Sequence, residues 1–257
     1  MVLSIDLGAT NIRIAEVNGD KIKNKKKVET PKTKKQILKT LLKLIESYGN
    51  PSAICIGIAG FVKNGKICGT PNMDFNDVNL KKILSSRYKI PVYIDNDANC
   101  AGLGELYYGR GKGKKNFVLL TIGTGIGGAI VINGRIYRGS GFAGEPGHML
   151  INGKIFEKIA SGKTYNEKMK NSLNEKQSII NEISNNLAVG ILNISYILDP
   201  EVIILGGGFS NFKGLIKKTE KVFHKSDIIR RKIPVVHAKL KDDTGLVGAA
   251  LLSKIKK

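Results

Sequence analysis

The sequence predicts an α/β protein of two lobes facing across a cleft, each lobe built on a β-meander, a crossover helix and buried parallel strands. Two observations carry this expectation. The glycine-rich turns Asp6-Leu7-Gly8-Ala9-Thr10 and Gly123-Thr124-Gly125-Ile126-Gly127-Gly128 each separate two strand-like runs, and the succession of meander, helix and apolar strand occurs twice along the 257 residues. A chain of this length buries a substantial core as one large domain or two compact lobes, and the repetition favours two. Such turns let main-chain N–H groups converge on an anion, because no Cβ obstructs the approach and positive φ is open to glycine. Two of them in one chain suggest a phosphate clamp.

The elements follow in order. Val2 to Ile5, Ile12 to Val17 and Lys21 to Val28 read as three antiparallel strands, the last two joined by the hairpin turn Asn18-Gly19-Asp20. From Thr33 to Tyr48, Ile37, Leu38, Leu41, Leu42, Leu44 and Ile45 form a stripe of helical period that stops at Gly49-Asn50-Pro51. Ala53 to Ile58 suits a buried parallel strand, Asn64-Gly65 a further hairpin, and Val92 to Ile94 a second parallel strand. Asp95-Asn96-Asp97 opens a helix to about Tyr107, and Lys112 to Lys115 is an exposed link. The meander then restarts with Phe117 to Ile122, Ala129 to Ile132 and Arg135 to Tyr137, joined by the second glycine turn and Asn133-Gly134. A long helix from Glu175 to Leu198 carries Ile179, Ile180, Ile183, Leu187, Ile191 and Ile194 inward. The apolar strand Val202 to Leu205, the run Gly206-Gly207-Gly208, another β-α layer and a helix from about Leu246 complete the chain. The expected division is 1–108, 109–245 and a C-terminal helix, 246–257, that packs back on the first lobe.

Composition narrows the function. The apolar fraction is an ordinary 42%, and no run of 18 apolar residues is present, so a membrane span is not expected. Without a basic stretch leading into a long apolar one at the start, no signal peptide is expected and a cytoplasmic location follows. Cys55, Cys68 and Cys100 have no C-x-x-C spacing, which argues against a disulfide framework and a self-contained zinc site and for buried free thiols. The formal charge of +21 comes mostly from lysine, clustered at Lys21 to Lys27, Arg110 to Lys115 and Lys213 to Lys241. Those clusters lack interleaved aromatics and the chain has no tryptophan, so a solvated lysine surface is expected and specific nucleic-acid binding is not.

Five blocks in this order resemble the ROK family of sugar kinases and repressors, within the actin, chaperone and hexokinase superfamily: Asp6 to Thr10, Asp95-Asn96-Asp97-Ala98-Asn99, Gly123 to Gly128, Gly144-Glu145-Pro146-Gly147-His148, and Asp199-Pro200 through Gly208. The resemblance spans almost the whole chain. It implies a two-lobed actin-like (ribonuclease H-like) fold, a hexose substrate, ATP with Mg²⁺, and a homodimer. Phosphoryl transfer needs charge neutralisation on the phosphates, an aligned acceptor oxygen and a base for its proton. The amides of Gly8, Ala9 and Thr10 and of Gly123, Thr124 and Gly125, with the two threonine hydroxyls, are expected to hold the phosphates. Asp6 is expected to face Mg²⁺ through water, and the family's adenosine contact maps onto Gly206, Gly207 and Gly208.

Asp97 is the expected general base, with Asn96 orienting the sugar; against this stands the reading in which Asn96 or Asp97 only caps the following helix. By resemblance Gly60, Asn72, Glu145, His148 and Glu157 line the sugar site. The plainer alternatives are a His148 satisfied by local backbone and a Glu157 facing solvent at a helix start. Many relatives follow the Gly-His pair with a zinc-binding cysteine cluster. Here only Met149 to Phe156 lie between His148 and Glu157, so structural zinc is not expected and Ile151, Ile155 and Phe156 are expected to pack inward instead. The resemblance implies transfer to the primary (6-) hydroxyl of a hexose, glucose first, with an N-acetylhexosamine such as N-acetylmannosamine as the alternative. A sugar-sensing repressor without catalysis is the rival from another class; its DNA-binding module would need room ahead of Asp6.

Overall fold

The computed structural model describes residues 1–63, 65–171 and 175–255. Its chain forms two compact units. The first comprises Met1–Tyr108, Gly139–Phe142 and Asp243–Lys257, and the second Gly109–Arg138 and Ala143–Asp242.

In the first unit, β1 (Val2–Leu7), β2 (Asn11–Asn18) and β3 (Lys21–Glu29) form the meander, and β4 (Ala53–Ile58) and β7 (Val92–Asn96) extend the sheet in the order β3-β2-β1-β4-β7. Between those last two strands lie the hairpin β5 (Phe61–Lys63) and β6 (Lys66–Gly69) and the helix α2 (Leu80–Tyr88). Strands β1, β4 and β7 are parallel and level, Asp6 pairing with Gly57 and Gly57 with Asp95, so their carboxyl ends meet along one edge. Helix α1 (Lys34–Glu46) buries Ile37, Leu41 and Ile45, the expected stripe, and its first turn is capped by Thr33. Helix α3 (Asp97–Tyr108) and the C-terminal helix (Thr244–Ile255) pack so closely that a side chain at Gly248 would run into the Cys100 carbonyl. Strand β3 forms the sheet edge with five exposed lysines, Lys21, Lys23, Lys25, Lys26 and Lys27, a charge pattern that discourages edge-to-edge pairing.

The second unit repeats this plan. Strands β8 (Phe117–Ile122), β9 (Ile126–Ile132), β10 (Arg135–Tyr137), β13 (Ile203–Gly206) and β14 (Val235–His237) stand in the order β10-β9-β8-β13-β14, with β8, β13 and β14 parallel. The hairpin β11 (Leu150–Ile151) and β12 (Lys154–Ile155), helices α4 (Glu157–Ala160), α5 (Gly162–Asn171) and α6 (Lys176–Leu198), and later α7 (Leu215–Ser226) cover it. Helix α6 buries Ile179, Ile180, Ile183, Leu187, Ile191 and Ile194, as its period predicts. No helix among the described residues is long and apolar enough to cross a membrane.

Several expectations are corrected. β7 runs through Asn96 and the helix begins only at Asp97, because the parallel ladder to β4 continues to the pair Ile58 and Asn96. Helix α2 was not expected; Leu80 and Leu84 are its only buried side chains, too short a stripe to be read from period. Cys68 is exposed while Cys55 and Cys100 are buried, since β6 is half of a two-stranded hairpin with one face open. Ile151 and Phe156 do pack inward, but Ile155 is 40% exposed because it pairs with Leu150 across the hairpin and both point away from the core. Phe156 is fully buried against Gly190 of α6, where any side chain would collide with its ring. Asn64 of the expected Asn64-Gly65 turn lies outside the described residues.

Candidate functional site

In the first unit the expected residues gather at the carboxyl ends of the parallel strands, where open α/β sheets bind ligands. Asp6, one residue from the end of β1, has a side chain 15% exposed and an ion pair with Arg13 at 3.6 Å. Burial pushes its carboxyl above the ordinary value, against the opposing pull of Arg13 and Lys25. Gly245, in the first turn of the C-terminal helix, lies beside it; a Cβ there would sit 3.5 Å from the carboxylate.

Asn96 caps α3: its Oδ1 accepts from the Asn99 N–H at 3.1 Å, and its Nδ2 donates to the Gly60 carbonyl at 3.2 Å. Asp97 Oδ1 accepts from the adjacent Ala98 N–H at 2.9 Å. Of the two capping candidates, the helix therefore uses Asn96. Asp95 is buried and accepts from the Asn96 N–H at 2.9 Å, fixing the strand end from which Asp97 projects. Gly60 is required by packing, since a Cβ would lie 2.5 Å from the Gly69 carbonyl and 2.7 Å from Thr70 Cγ2. Asn72 is exposed on a loop tied down by Asn76, whose Oδ1 accepts from the Thr70 N–H at 2.6 Å and the Thr70 hydroxyl at 2.8 Å.

The two glycine turns differ from expectation in one respect. None of Gly8, Gly123 and Gly125 has positive φ. The Gly8 N–H donates to the Asn11 carbonyl at 3.1 Å and the Gly123 N–H to the Gly125 carbonyl at 2.9 Å, so both amides close their own turns and do not point outward as donors. The amides of Ala9, Thr10, Thr124 and Gly125 have no acceptor among the described residues, and the side chains of Thr10 and Thr124 lie on exposed residues. Thr30 straps the first turn by donating from its hydroxyl to the Gly8 carbonyl at 2.6 Å and from its N–H to the Thr10 carbonyl at 3.0 Å. Gly162 straps the second, its N–H reaching the Gly123 carbonyl at 2.8 Å.

Positive φ is used where strands must touch. Gly207, at φ 82, lies against Ile122, whose carbonyl would be 2.5 Å from a Cβ, and so brings Gly206 to Gly208 beside the second turn. Gly144, at φ 92, and Gly147 let the Glu145–His148 segment lie on β9, Gly147 against the Ile126 carbonyl. His148 Nε2 stands 3.9 Å from Glu145 Oε2 and its side chain is 48% exposed. Burial pushes the Glu145 carboxyl up, the His148 ring opposes this, and the Glu157 charge adds to it. Glu157 itself is half-buried. Its Oε2 accepts from the Ile126 N–H at 3.4 Å and lies directly over Gly125, where a Cβ would collide with it. Among the described residues no group of three or more His, Cys, Asp and Glu side chains could hold a metal.

Arg13, Thr30, Asn76 and Gly162 were not anticipated. Arg13 alone left a signal, since a turn over Gly8 to Asn11 pairs Leu7 with Ile12 and hence Asp6 with Arg13; the others act through contacts that only the folded chain creates.

Comparison with known proteins agrees with this architecture. An uncharacterized protein of Clostridium perfringens is 34% identical, with 95% of each chain covered. A glucokinase of Streptomyces coelicolor is 28% identical over 99% of this chain and 98% of its own, and a putative xylose repressor of Caldicellulosiruptor is 26% identical over 98% of this chain and 77% of its own. Among solved structures, a ROK family glucokinase from Streptomyces griseus in complex with glucose and AMPPNP superposes with a TM-score of 0.86 at 26% identity, covering 98% of both chains. The ROK family model matches residues 2–256, and the chain, with the actin-like ATPase fold of the ROK sugar kinases, belongs to the ROK family.

Proposed function

We propose that the protein is an ATP- and Mg²⁺-dependent sugar kinase that phosphorylates the primary (6-) hydroxyl of a hexose, glucose first. The observation that supports this most is at the end of β7, where the capping bond of α3 falls to Asn96 and Asp97 opens the helix beside it. Asp97 takes the role of general base, accepting the hydroxyl proton as transfer proceeds. Gly60, Asn72, Asn96, Glu145, His148 and Glu157 take the role of sugar ligands, since carboxylates and amides suit hydroxyls that both donate and accept.

The amides of Ala9, Thr10, Thr124 and Gly125 and the two threonine hydroxyls bind phosphate oxygens, while Gly8 and Gly123 shape the turns. Gly206, Gly207 and Gly208 border the nucleoside. Asp6, a carboxylate near a strand end, would hold Mg²⁺, which keeps most of its water and is otherwise bound by phosphate. When bound, the ion neutralises developing charge on the phosphates. A homodimer belongs to the same proposal, and the mass in solution tests it.

The experiment is coupled ADP release across glucose, mannose, fructose and the acetamido sugars. Fastest sugar-dependent release with glucose is the expected result, and preference for N-acetylmannosamine would move the substrate to the acetamido class. Saturable sugar binding without ADP release would replace the kinase by a sensor of the repressor type. Retention of nucleic acid at physiological salt with no sugar response would overturn both.

A further inference from the structure

Phe61 and Phe142 form an aromatic pair beside the residues that take the role of sugar ligands, and phosphoryl transfer has no use for either ring. Their centroids lie 5.5 Å apart with the planes at 81°, an edge-to-face contact. Phe61 follows Gly60, whose carbonyl accepts from Asn96 Nδ2 at 3.2 Å. It opens β5 opposite Gly69, and the missing side chain there leaves room for its ring, since a Cβ would sit 3.3 Å from Phe61 Cδ2. Thr70 and the Asn72 loop come next. The segment Gly139–Phe142 belongs to the same unit, so the pair is continuous with that unit's share of the sugar site.

Anchoring its own segment does not explain Phe142. The Ala143 N–H donates to the Arg138 carbonyl at 3.2 Å, and Gly139 and Gly141 take φ of 52 and 125, so the backbone already sets the turn. Phe142 stays 49% exposed and Phe61 is half-buried, so packing removes only part of their apolar surface from water. An edge-to-face pair also leaves flat ring faces open to a third ring. Neither side chain carries a donor or acceptor, so a sugar hydroxyl or an acetamido group turned toward them would lose its hydrogen bonds. An aromatic substituent has none to lose. We propose that Phe61 and Phe142 form a subsite for an aromatic aglycone, so that the sugar site takes aryl glucosides as well as free glucose. The proposal rests on the sugar-kinase reading above and names a further ligand class for the same site.

The test is calorimetric titration with methyl and phenyl glucosides of both anomers, a comparison that separates the ring from the loss of the anomeric hydroxyl. For one anomer the wild type is expected to bind the phenyl compound about 3- to 10-fold more tightly than the methyl compound. Phe142→Ala is expected to abolish that gain and Phe142→Tyr to keep it, with glucose affinity within about twofold of the wild type in both. No preference for phenyl over methyl in either anomer overturns the proposal, as does an undiminished preference in a folded Phe142→Ala. A loss shared equally by glucose and both glucosides overturns it too. If Phe142→Ala melts early, Phe142→Leu, which keeps apolar bulk without the ring, gives the same reading. Binding requires no turnover, so absence of ADP release with every sugar would defeat the kinase reading and leave this measurement standing.

Discussion

The two meanders share one topology and use it differently. In the first, the strand before the turn carries a carboxylate, Asp6, one residue from its end, answered across the hairpin by Arg13, and the turn is strapped through its carbonyls by Thr30. In the second, Thr121 pairs with Gly127 and Leu120 with Gly128, no acid precedes the turn, and Gly125 and Gly128 admit Glu157 and Pro146 into contact. The first unit supplies fixed charge and the second supplies close backbone approach. Duplicated architecture therefore does not mean duplicated chemistry.

The largest effect expected from breaking this asymmetry is at Asp97. Asp97→Asn should lower kcat by about 10²- to 10⁴-fold with sugar affinity still measurable by calorimetry; near-normal turnover would move the base elsewhere. In the second unit the equivalent damage is structural. Gly207→Ala places a Cβ 2.5 Å from the Ile122 carbonyl at a backbone conformation unfavourable to alanine, and should cost about 3 kcal/mol or more in chemical denaturation. Gly123→Ala, where a Cβ meets nothing within 4 Å, should leave the denaturation midpoint nearly unchanged. Equal losses at the two glycines would remove the distinction between packing and shaping.

Asp6→Asn sharpens the contrast from the other side. A carboxyl whose pKa is raised in the folded state weakens that state wherever it is ionised, and the penalty enters as pH climbs from the ordinary value of 3.8 through the folded value. The variant should therefore melt later than the wild type at neutral pH, lose that advantage in acid, and lose ADP release throughout. A lower Tm at neutral pH would mean that the Arg13 pair outweighs burial. The smallest effect is expected from EDTA, which should stop turnover yet shift Tm by less than a degree or so, since magnesium would be held mainly by substrate.

Much of this molecule can be read without its coordinates. The two meanders, α1 and α6, the parallel strands and the Asp95–Asn99 block each carry a local signature: alternation, helical period, an apolar run, or a polar residue before a helix. What local pattern could not reach was partnership. Nothing in Gly123-Thr124-Gly125 reveals that the first amide closes the turn and that the third residue must be bare to admit a carboxylate from 157. Nor does Leu150 to Phe156 announce which of its apolar residues turn inward, because a two-residue hairpin arm is too short for alternation to decide.

Backbone preference and side-chain period act between near neighbours, so the chain alone determined its elements, their repetition and the acid at the head of α3. Where Glu157 rests, and the tie from Asn96 to the Gly60 carbonyl, required residues 30 or more positions apart to meet. Those meetings are set by close packing in three dimensions, where a missing Cβ or a single strap decides what can approach.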